Sequence, residues 1–222
     1  MKRPKPSRAK GSYTESDYLA EQAYADSIFR TAMGDHEGSI AALRRSLECK
    51  PTYAPAILSL GSVEYQLGKR AAGRKLFRSL LSLPKNTPEL SEIIDEAGSF
   101  LIRIHAYRDG LELFRSAVEL FPAVADLYQG MSCCAGHEQC HEEAIAAGER
   151  ALQLEPENQI FVNDLGWSLL EAGRIEEARS TLERAVSMDP SDKLAQENLR
   201  ICKERQNKSK PSLFGDESTV AK

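Results

Sequence analysis

The chain has few aromatic residues and few cysteines for its length. Only 7% of its 222 residues are aromatic, with a single tryptophan, and its five cysteines are an odd number. A small secreted domain held by disulfides needs a denser and paired set. No stretch approaches the roughly 20 apolar residues that cross a bilayer, and no apolar signal segment follows the first residue. We therefore expect a soluble, cytoplasmic protein without a membrane segment.

Several motifs of common enzyme classes are also missing. The chain contains no G-x-x-x-x-G-K-[ST] phosphate loop, no G-x-G-x-x-G after a strand and no G-x-S-x-G. Adjacent acids such as Glu176 and Glu177 diverge around a helix, so they form no catalytic pair. We predict a protein that is not an enzyme and that needs no cofactor.

The net charge of −4 conceals a strong asymmetry along the chain. Residues 1–12 carry five basic side chains and no acid, whereas residues 13–202 carry 19 basic and 30 acidic side chains. We expect residues 1–14 to form a disordered basic arm, and residues 207–222 a disordered tail. The arm could serve as a localisation signal, as an autoinhibitory segment or only as a solvated tail. Nucleic-acid binding is disfavoured, because five charges before an acidic body give weak, salt-sensitive affinity.

The body between these tails is predicted to be all helix. Apolar residues recur at steps of three and four, and hairpin signals are missing. Small residues and prolines repeat with register steps of 34, 37, 34 and 34 residues. The most regular unit, residues 163–190, has the hallmark positions Leu165, Gly166, Ala178, Leu182, Ala185 and Pro190.

This unit resembles the tetratricopeptide repeat, and four further copies align upstream. Their hallmark residues include Leu60, Gly61, Gly73 and Phe77; Gly98, Gly110, Phe114 and Pro122; Tyr128, Ala144, Ala151 and Pro156; and, in a degenerate first copy, Gly34, Ser39, Leu43, Ser46 and Pro51. The resemblance implies a right-handed α-solenoid of five helix-turn-helix repeats, which we place at residues 20–53, 54–87, 88–124, 125–158 and 159–192 within a solenoid of residues 15–206. A polar helix over residues 191–206 would cap it.

The resemblance also implies a concave groove, lined by the first helix of each repeat, in which a partner protein lies. The residues expected to face it include seven acids and one base: Glu21, Tyr24, Ile28, Tyr65, Glu92, Asp95, Glu96, Arg103, Asp126, Gln129, Asn163, Asp164, Trp167 and Glu171. Because gathered acids repel each other, a cationic ligand would relieve that cost. We predict a scaffold or adaptor that binds a partner segment carrying Lys or Arg, with Tyr24, Tyr65 or Trp167 as anchors. The alternative reading is that these acids only keep a helix face solvated.

One subclass of the family clamps the C-terminal carboxylate of heat-shock proteins with Lys, Asn and Arg side chains. This sequence lacks that set, because the corresponding positions hold Tyr24, Ile28, Ser59, Glu92 and Glu96. Two acids would face the carboxylate, so we do not expect this clamp.

A cysteine and histidine cluster in the fourth repeat offers a different function. Cys133, His137, Cys140 and His141 lie within nine residues and are candidate zinc ligands or redox-responsive thiols. The repeat register places a turn between His137 and His141, so the cluster is divided, and the prediction for metal is none. Self-assembly through terminal faces is a third possibility.

Overall fold

A computed structural model describes residues 13–209, and eleven α-helices account for most of that span. The helices are α1 (Glu15–Ala32), α2 (His36–Cys49), α3 (Ala54–Gln66), α4 (Arg70–Leu80), α5 (Leu90–Arg103), α6 (Tyr107–Leu120), α7 (Ala125–His137), α8 (His141–Leu154), α9 (Gln159–Glu171), α10 (Ile175–Met188) and α11 (Lys193–Ser209). The expected basic arm up to residue 12 and most of the expected tail, from residue 210, lie outside the described residues.

The helices form five pairs followed by one terminal helix, so the all-α repeat fold is confirmed. Helix α1 begins at Glu15, before the expected start of the first repeat at residue 20, because Thr14 and Asp17 form a capping box. The Asp17 N–H donates to Thr14 Oγ1 at 3.2 Å, and the Thr14 N–H donates to Asp17 Oδ2 at 2.8 Å. The terminal helix runs to Ser209, three residues beyond the expected end of the cap.

The chain divides into two compact units, which separate after Ala97 within α5. In the first unit, α1 packs on α2, α2 on α3 and α3 on α4. In the second, consecutive helices from α6 to α11 pack on one another, and α9 also contacts α7 and α11. Contacts between first helices of successive pairs are the packing expected of an α-solenoid.

The second, third and fifth helix pairs cross where one helix carries a glycine, which is too small to obstruct the other helix. A β-carbon added to Gly61 would lie 2.5 Å from the Phe77 ring, and one added to Gly98 would lie 2.1 Å from the Phe114 ring. In the last pair, a β-carbon on Gly166 would lie 2.6 Å from Leu182 Cγ. Phe77, Phe114 and Leu182 are at most 2% exposed. The glycines therefore admit the largest core side chains at the crossings.

The fourth pair achieves the same crossing with the residues exchanged. Ser132 stands on the first helix, where the second, third and fifth pairs carry glycine, and its hydroxyl donates to Ala144 O at 2.7 Å. Gly148 stands on the second helix, where the other pairs carry Phe or Leu, and Leu165 of the next pair fills the space beside it. The sequence register did not reveal this exchange.

The turn inside each pair requires one residue in the left-handed region. Gly34, Gly68 and Gly173 occupy this position with φ of 76° to 78°. In the third and fourth pairs His105 and Gln139 occupy it, with φ of 58° and 60°. The turn geometry is therefore kept even where the glycine is absent, at a conformational cost of roughly 1 kcal/mol for each side chain.

No helix in the described part of the chain combines the length and the apolar composition of a membrane span.

Two glycines of α7 should respond in opposite ways to alanine. A β-carbon on Gly130 would lie 2.2 Å from the Phe114 ring, whereas one on Gly136 would meet nothing within 4 Å. We expect Gly130→Ala to lower the free energy of unfolding by about 1–3 kcal/mol through overpacking. Gly136→Ala should raise it by up to about 1 kcal/mol through helix propensity. Urea denaturation of both variants measures this, and equal effects would contradict the crossing geometry.

Substitution of Gln139 by glycine should stabilise the protein. Its side chain makes one long contact, 3.5 Å from Nε2 to Gly136 O, so little is lost when it is removed. Relief of the left-handed conformation should raise the free energy of unfolding by about 1 kcal/mol. The matched control is Gly173→Ala, which introduces the same strain at the equivalent turn and should destabilise by a similar amount. The midpoints of urea denaturation of the two variants should therefore move in opposite directions.

Candidate functional site

A pocket of about 480 Å³ lies in the second unit, where α7, α9 and α11 face each other beside the start of α8. We call it the α9 pocket, because α9 supplies its central residues. Four of the predicted groove residues line it: Asn163, Asp164, Trp167 and Glu171. Cys133, His137 and His141 line it as well. The repeat packing thus brings the α9 residues of the predicted groove together with most of the cysteine and histidine cluster.

Asp164 is a half-buried acid on the wall of this pocket. Its Oδ2 accepts a hydrogen bond from Gln129 Nε2 at 2.8 Å. Burial raises the pKa of Asp164 above its usual range, although hydrogen bonds from Gln129 and Asn163 oppose that rise. The carboxylate is therefore incompletely stabilised, and a cation placed beside it would offset the cost of burial.

Two buried asparagines connect α9 to α11 beside Asp164. Asn198 Nδ2 donates to Asn163 Oδ1 at 3.0 Å, and the two residues are 7% and 3% exposed. Both line the pocket. They supply amide groups next to the acid, so the pocket offers hydrogen-bonding partners as well as charge.

Trp167 and Glu171 continue the same face of α9 toward its C-terminus. Asp164, Trp167 and Glu171 stand at positions i, i+3 and i+7, which lie on one side of a helix. The guanidinium of Arg205 in α11 lies 5.8 Å from the centre of the Trp167 ring and 2.9 Å from Glu171 Oε1. A basic side chain of the protein itself thus already contacts an expected anchor residue.

The cysteine and histidine cluster is divided by the turn between α7 and α8. Residues 137–141 also match the H-E-x-x-H pattern, in which two histidines one turn apart on a helix hold zinc. Here α7 ends at His137, α8 begins at His141, and Gln139 between them is left-handed. Within residues 13–209 no three His, Cys, Asp or Glu residues are arranged to hold a metal ion.

Two adjacent thiols, Cys133 of the cluster and its neighbour Cys134, are poorly suited to redox chemistry. Burial and the nearby Asp164 raise the pKa of Cys133, and burial raises the pKa of Cys134 to about 12. Reactive cysteines need the opposite shift, because the thiolate is the nucleophile. His137 contacts the ring of Tyr107 instead, in a stack with centres 3.8 Å apart.

The predicted groove residues of the first unit have varied environments. Tyr65 is 5% exposed and stacks on Phe77, because Gly73 leaves room for its ring, so it offers no surface to a partner. Tyr24 is half-buried, with its ring edge against Tyr53 at 5.5 Å. Glu21 accepts a hydrogen bond from the Tyr13 hydroxyl at 2.5 Å. The remaining members are exposed or half-buried: Ile28, Glu92, Asp95 and Glu96.

Three further predicted residues of the second unit lie outside the lining of the α9 pocket, and of these Gln129 contacts it through its hydrogen bond to Asp164. Arg103 places its guanidinium 5.7 Å from the centre of the Phe100 ring, and Asp126 is exposed in the first turn of α7. Conversely, sequence reasoning missed two residues of α11. Asn198 and Arg205 stand 34 positions after Asp164 and Glu171. Extension of the repeat register into the terminal helix would have found both.

Comparisons with known proteins agree with this repeat architecture. Residues 138–200 match the model of the tetratricopeptide repeat family. The human protein DnaJ homolog subfamily C member 3 is 22% identical over 243 aligned positions, which cover 94% of this chain and 48% of that protein. The chain thus spans about half the length of the curated relatives it matches.

Solved structures share the fold at low identity. YrrB, described as a tetratricopeptide-repeat protein with an unusual peptide-binding site, superposes with a TM-score of 0.59 and 16% identity, over 85% of this chain and all of that one. MamA from Desulfovibrio magneticus superposes with a TM-score of 0.58 and 19% identity, over 82% and 99% of the two chains. At such identities the similarity establishes the fold and no more.

The raised pKa of Asp164 should appear as a pH-dependent stability difference. The folded state keeps the Asp164 proton to a higher pH than the unfolded state, so its ionisation lowers stability as pH rises above about 3.9. We expect Asp164→Asn to have a higher Tm than the wild type at pH 7, with the difference vanishing near pH 3.5. Glu157→Gln, which removes an exposed acid outside the pocket, is the control for the change of net charge. An equal Tm difference between Asp164→Asn and the wild type at pH 7 and at pH 3.5 would contradict the raised pKa of Asp164.

Proposed function

We propose that this chain, which belongs to the tetratricopeptide-repeat family, is a non-enzymatic interaction module that holds a cationic segment of a partner protein in the α9 pocket. The partner segment lies along α9, with a Lys or Arg side chain at Asp164. Trp167 provides the apolar surface against which the segment packs. The proposal places the binding energy in the second unit.

The single observation that carries the proposal is the half-buried carboxylate of Asp164 facing an open pocket. A protein gains nothing in stability from an acid whose pKa is raised by burial. A ligand cation would supply the missing counter-charge in a partly desolvated place, where such a contact is stronger than on an open surface. Cys133, beside the acid, brings no positive charge.

The other lining residues fit a peptide. The volume of about 480 Å³ falls within the usual range of ligand pockets. Asn163, Asn198 and Ser168 offer groups that can bond to a peptide backbone, and the buried His141 Nδ1 has no hydrogen-bond partner within the described residues. YrrB, with the same fold, is described as having a peptide-binding site, which supports a peptide ligand here.

A C-terminal carboxylate fits this pocket poorly. Asp164 and Glu171 both line it, and each would repel a negatively charged chain end. We therefore keep the prediction that the heat-shock carboxylate clamp is not used. Three further expectations stay predictions. They are that the acids of the first unit attract a cationic segment, that residues 1–14 form a disordered basic arm, and that the protein is cytoplasmic.

The proposal predicts that basic peptides bind through the two pocket acids. The fluorescence of Trp167, the only tryptophan, reports on the pocket directly. A blocked, glycine-flanked peptide with two arginines around a leucine should quench or shift this signal, with affinity falling as salt rises. In Asp164→Asn plus Glu171→Gln the affinity should fall by about tenfold or more, because the counter-charges are gone.

The control variant is Glu149→Gln plus Glu157→Gln, which makes the same change of net charge at exposed positions outside the pocket. Its affinity should stay within about twofold of the wild type, as expected of distant, screened charges. Equal losses in both double variants would mean that only the general negative charge of the body attracts the peptide. Circular dichroism confirms that both variants are folded.

A further inference from the structure

The side chain of Arg205 lies against the indole ring that lines the α9 pocket. Its guanidinium lies 5.8 Å from the centre of the Trp167 ring and 2.9 Å from Glu171 Oε1. Trp167 and Glu171 both line the pocket, whereas Arg205 belongs to the terminal helix that borders it. The protein thus presents a guanidinium to the same two groups that a basic ligand would meet.

We propose that Trp167 and Glu171 form a subsite for an arginine side chain of the partner, and that Arg205 fills this subsite until the partner displaces it. The inference rests on the proposed function of the pocket and adds the chemical class of the ligand residue. It also assigns Arg205 the role of a built-in competitor.

The geometry of the subsite favours arginine over lysine. A guanidinium is planar, so it can stack on an indole ring while its N–H groups point in the plane toward a carboxylate. Arg205 makes both contacts at once, over Trp167 and to Glu171. A lysine ammonium is a compact, strongly hydrated charge that gains less from the ring face.

Arg205 can leave the subsite without displacing its helix. Its side chain is 44% exposed. Helix α11 is held by other residues: Asn198 bonds to Asn163, Gln206 Nε2 donates to Glu176 at 2.7 Å, and Cys202 is fully buried. Rotation of one side chain into solvent therefore opens the subsite without unfolding α11, and it breaks the contacts of Arg205 with Trp167 and Glu171.

The spacing of the acids on α9 sets the pattern of the ligand. Asp164 and Glu171 are seven residues apart, which corresponds to about 10 Å along a helix. In an extended peptide three residues span about the same distance. A segment with one cation at Asp164 and an arginine three residues away would meet both acids together.

The test compares peptide binding to variants of two arginines in α11. The probes are the blocked peptides Lys-Gly-Leu-Arg and Lys-Gly-Leu-Lys with flanking glycines, and Trp167 fluorescence is the signal. Arg205→Met removes the competitor. The matched control is Arg200→Met, which makes the same change of net charge at a side chain that pairs with Glu197 and Glu204 of its own helix.

We expect Arg205→Met to bind the arginine peptide roughly five- to tenfold more tightly than the wild type, because the ligand no longer competes with Arg205 for the Trp167 ring and the Glu171 carboxylate. Arg200→Met should stay within about twofold of the wild type, because its charge is distant from the subsite. In the wild type and both variants the arginine peptide should bind more tightly than the lysine peptide.

Three other outcomes separate the possible failures. If the wild type binds and Arg205→Met binds equally or more weakly, Arg205 is not a competitor and the inference is wrong. If Arg205→Met binds more tightly but both peptides bind alike, the arginine subsite is wrong. If neither peptide binds to any form while circular dichroism shows folded protein, the proposed function itself fails, and the inference with it.

Discussion

The close approach of two helices within each repeat is the constraint on which the rest of this structure depends. Gly61, Gly98 and Gly166 allow it, because a β-carbon at any of them would collide with the large side chain from the opposite helix. Dense packing of this kind leaves little freedom in the angle between helices. The fourth repeat shows that the constraint concerns space and not one residue type, since Ser132 and Gly148 meet it with the small residue on the other helix.

This packing positions the candidate site. Because α9 contacts both α7 and α11, its exposed face is flanked by two helices and becomes the wall of a pocket. Asp164 is thereby half-buried, and its carboxylate is less stable than it would be in water. The repeat register makes four positions equivalent, and they hold Arg103, His137, Glu171 and, in the terminal helix, Arg205. Glu171 is the one acid among these four residues, and it pairs with Arg205 of the terminal helix.

Residues 137–141 show how the repeat register overrides a local motif. Taken alone, His137 and His141 fit a zinc pattern that requires a continuous helix. Position 139, however, is equivalent to Gly173, and both adopt the left-handed conformation that ends one helix and starts the next. The turn therefore separates the two histidines between α7 and α8. A spacing argument is valid only where the element that carries it is continuous.

The sequence by itself determined the fold, because the recurrence of small residues at 34 and 37 residues encodes where helices cross and turn. The positions of Gly166 and Leu182 could be assigned from that register, and so could Asp164 and Trp167 as members of one face. Only the tertiary structure decided which of these side chains reach the surface. Tyr65 occupies the same position in the repeat as Leu170, and both side chains are buried. Tyr65 is buried because Gly73 leaves a space that its ring fills. The contact of Arg205 with Trp167 likewise depends on how α11 packs against α9, because burial and contact are set by neighbouring helices that no single repeat contains.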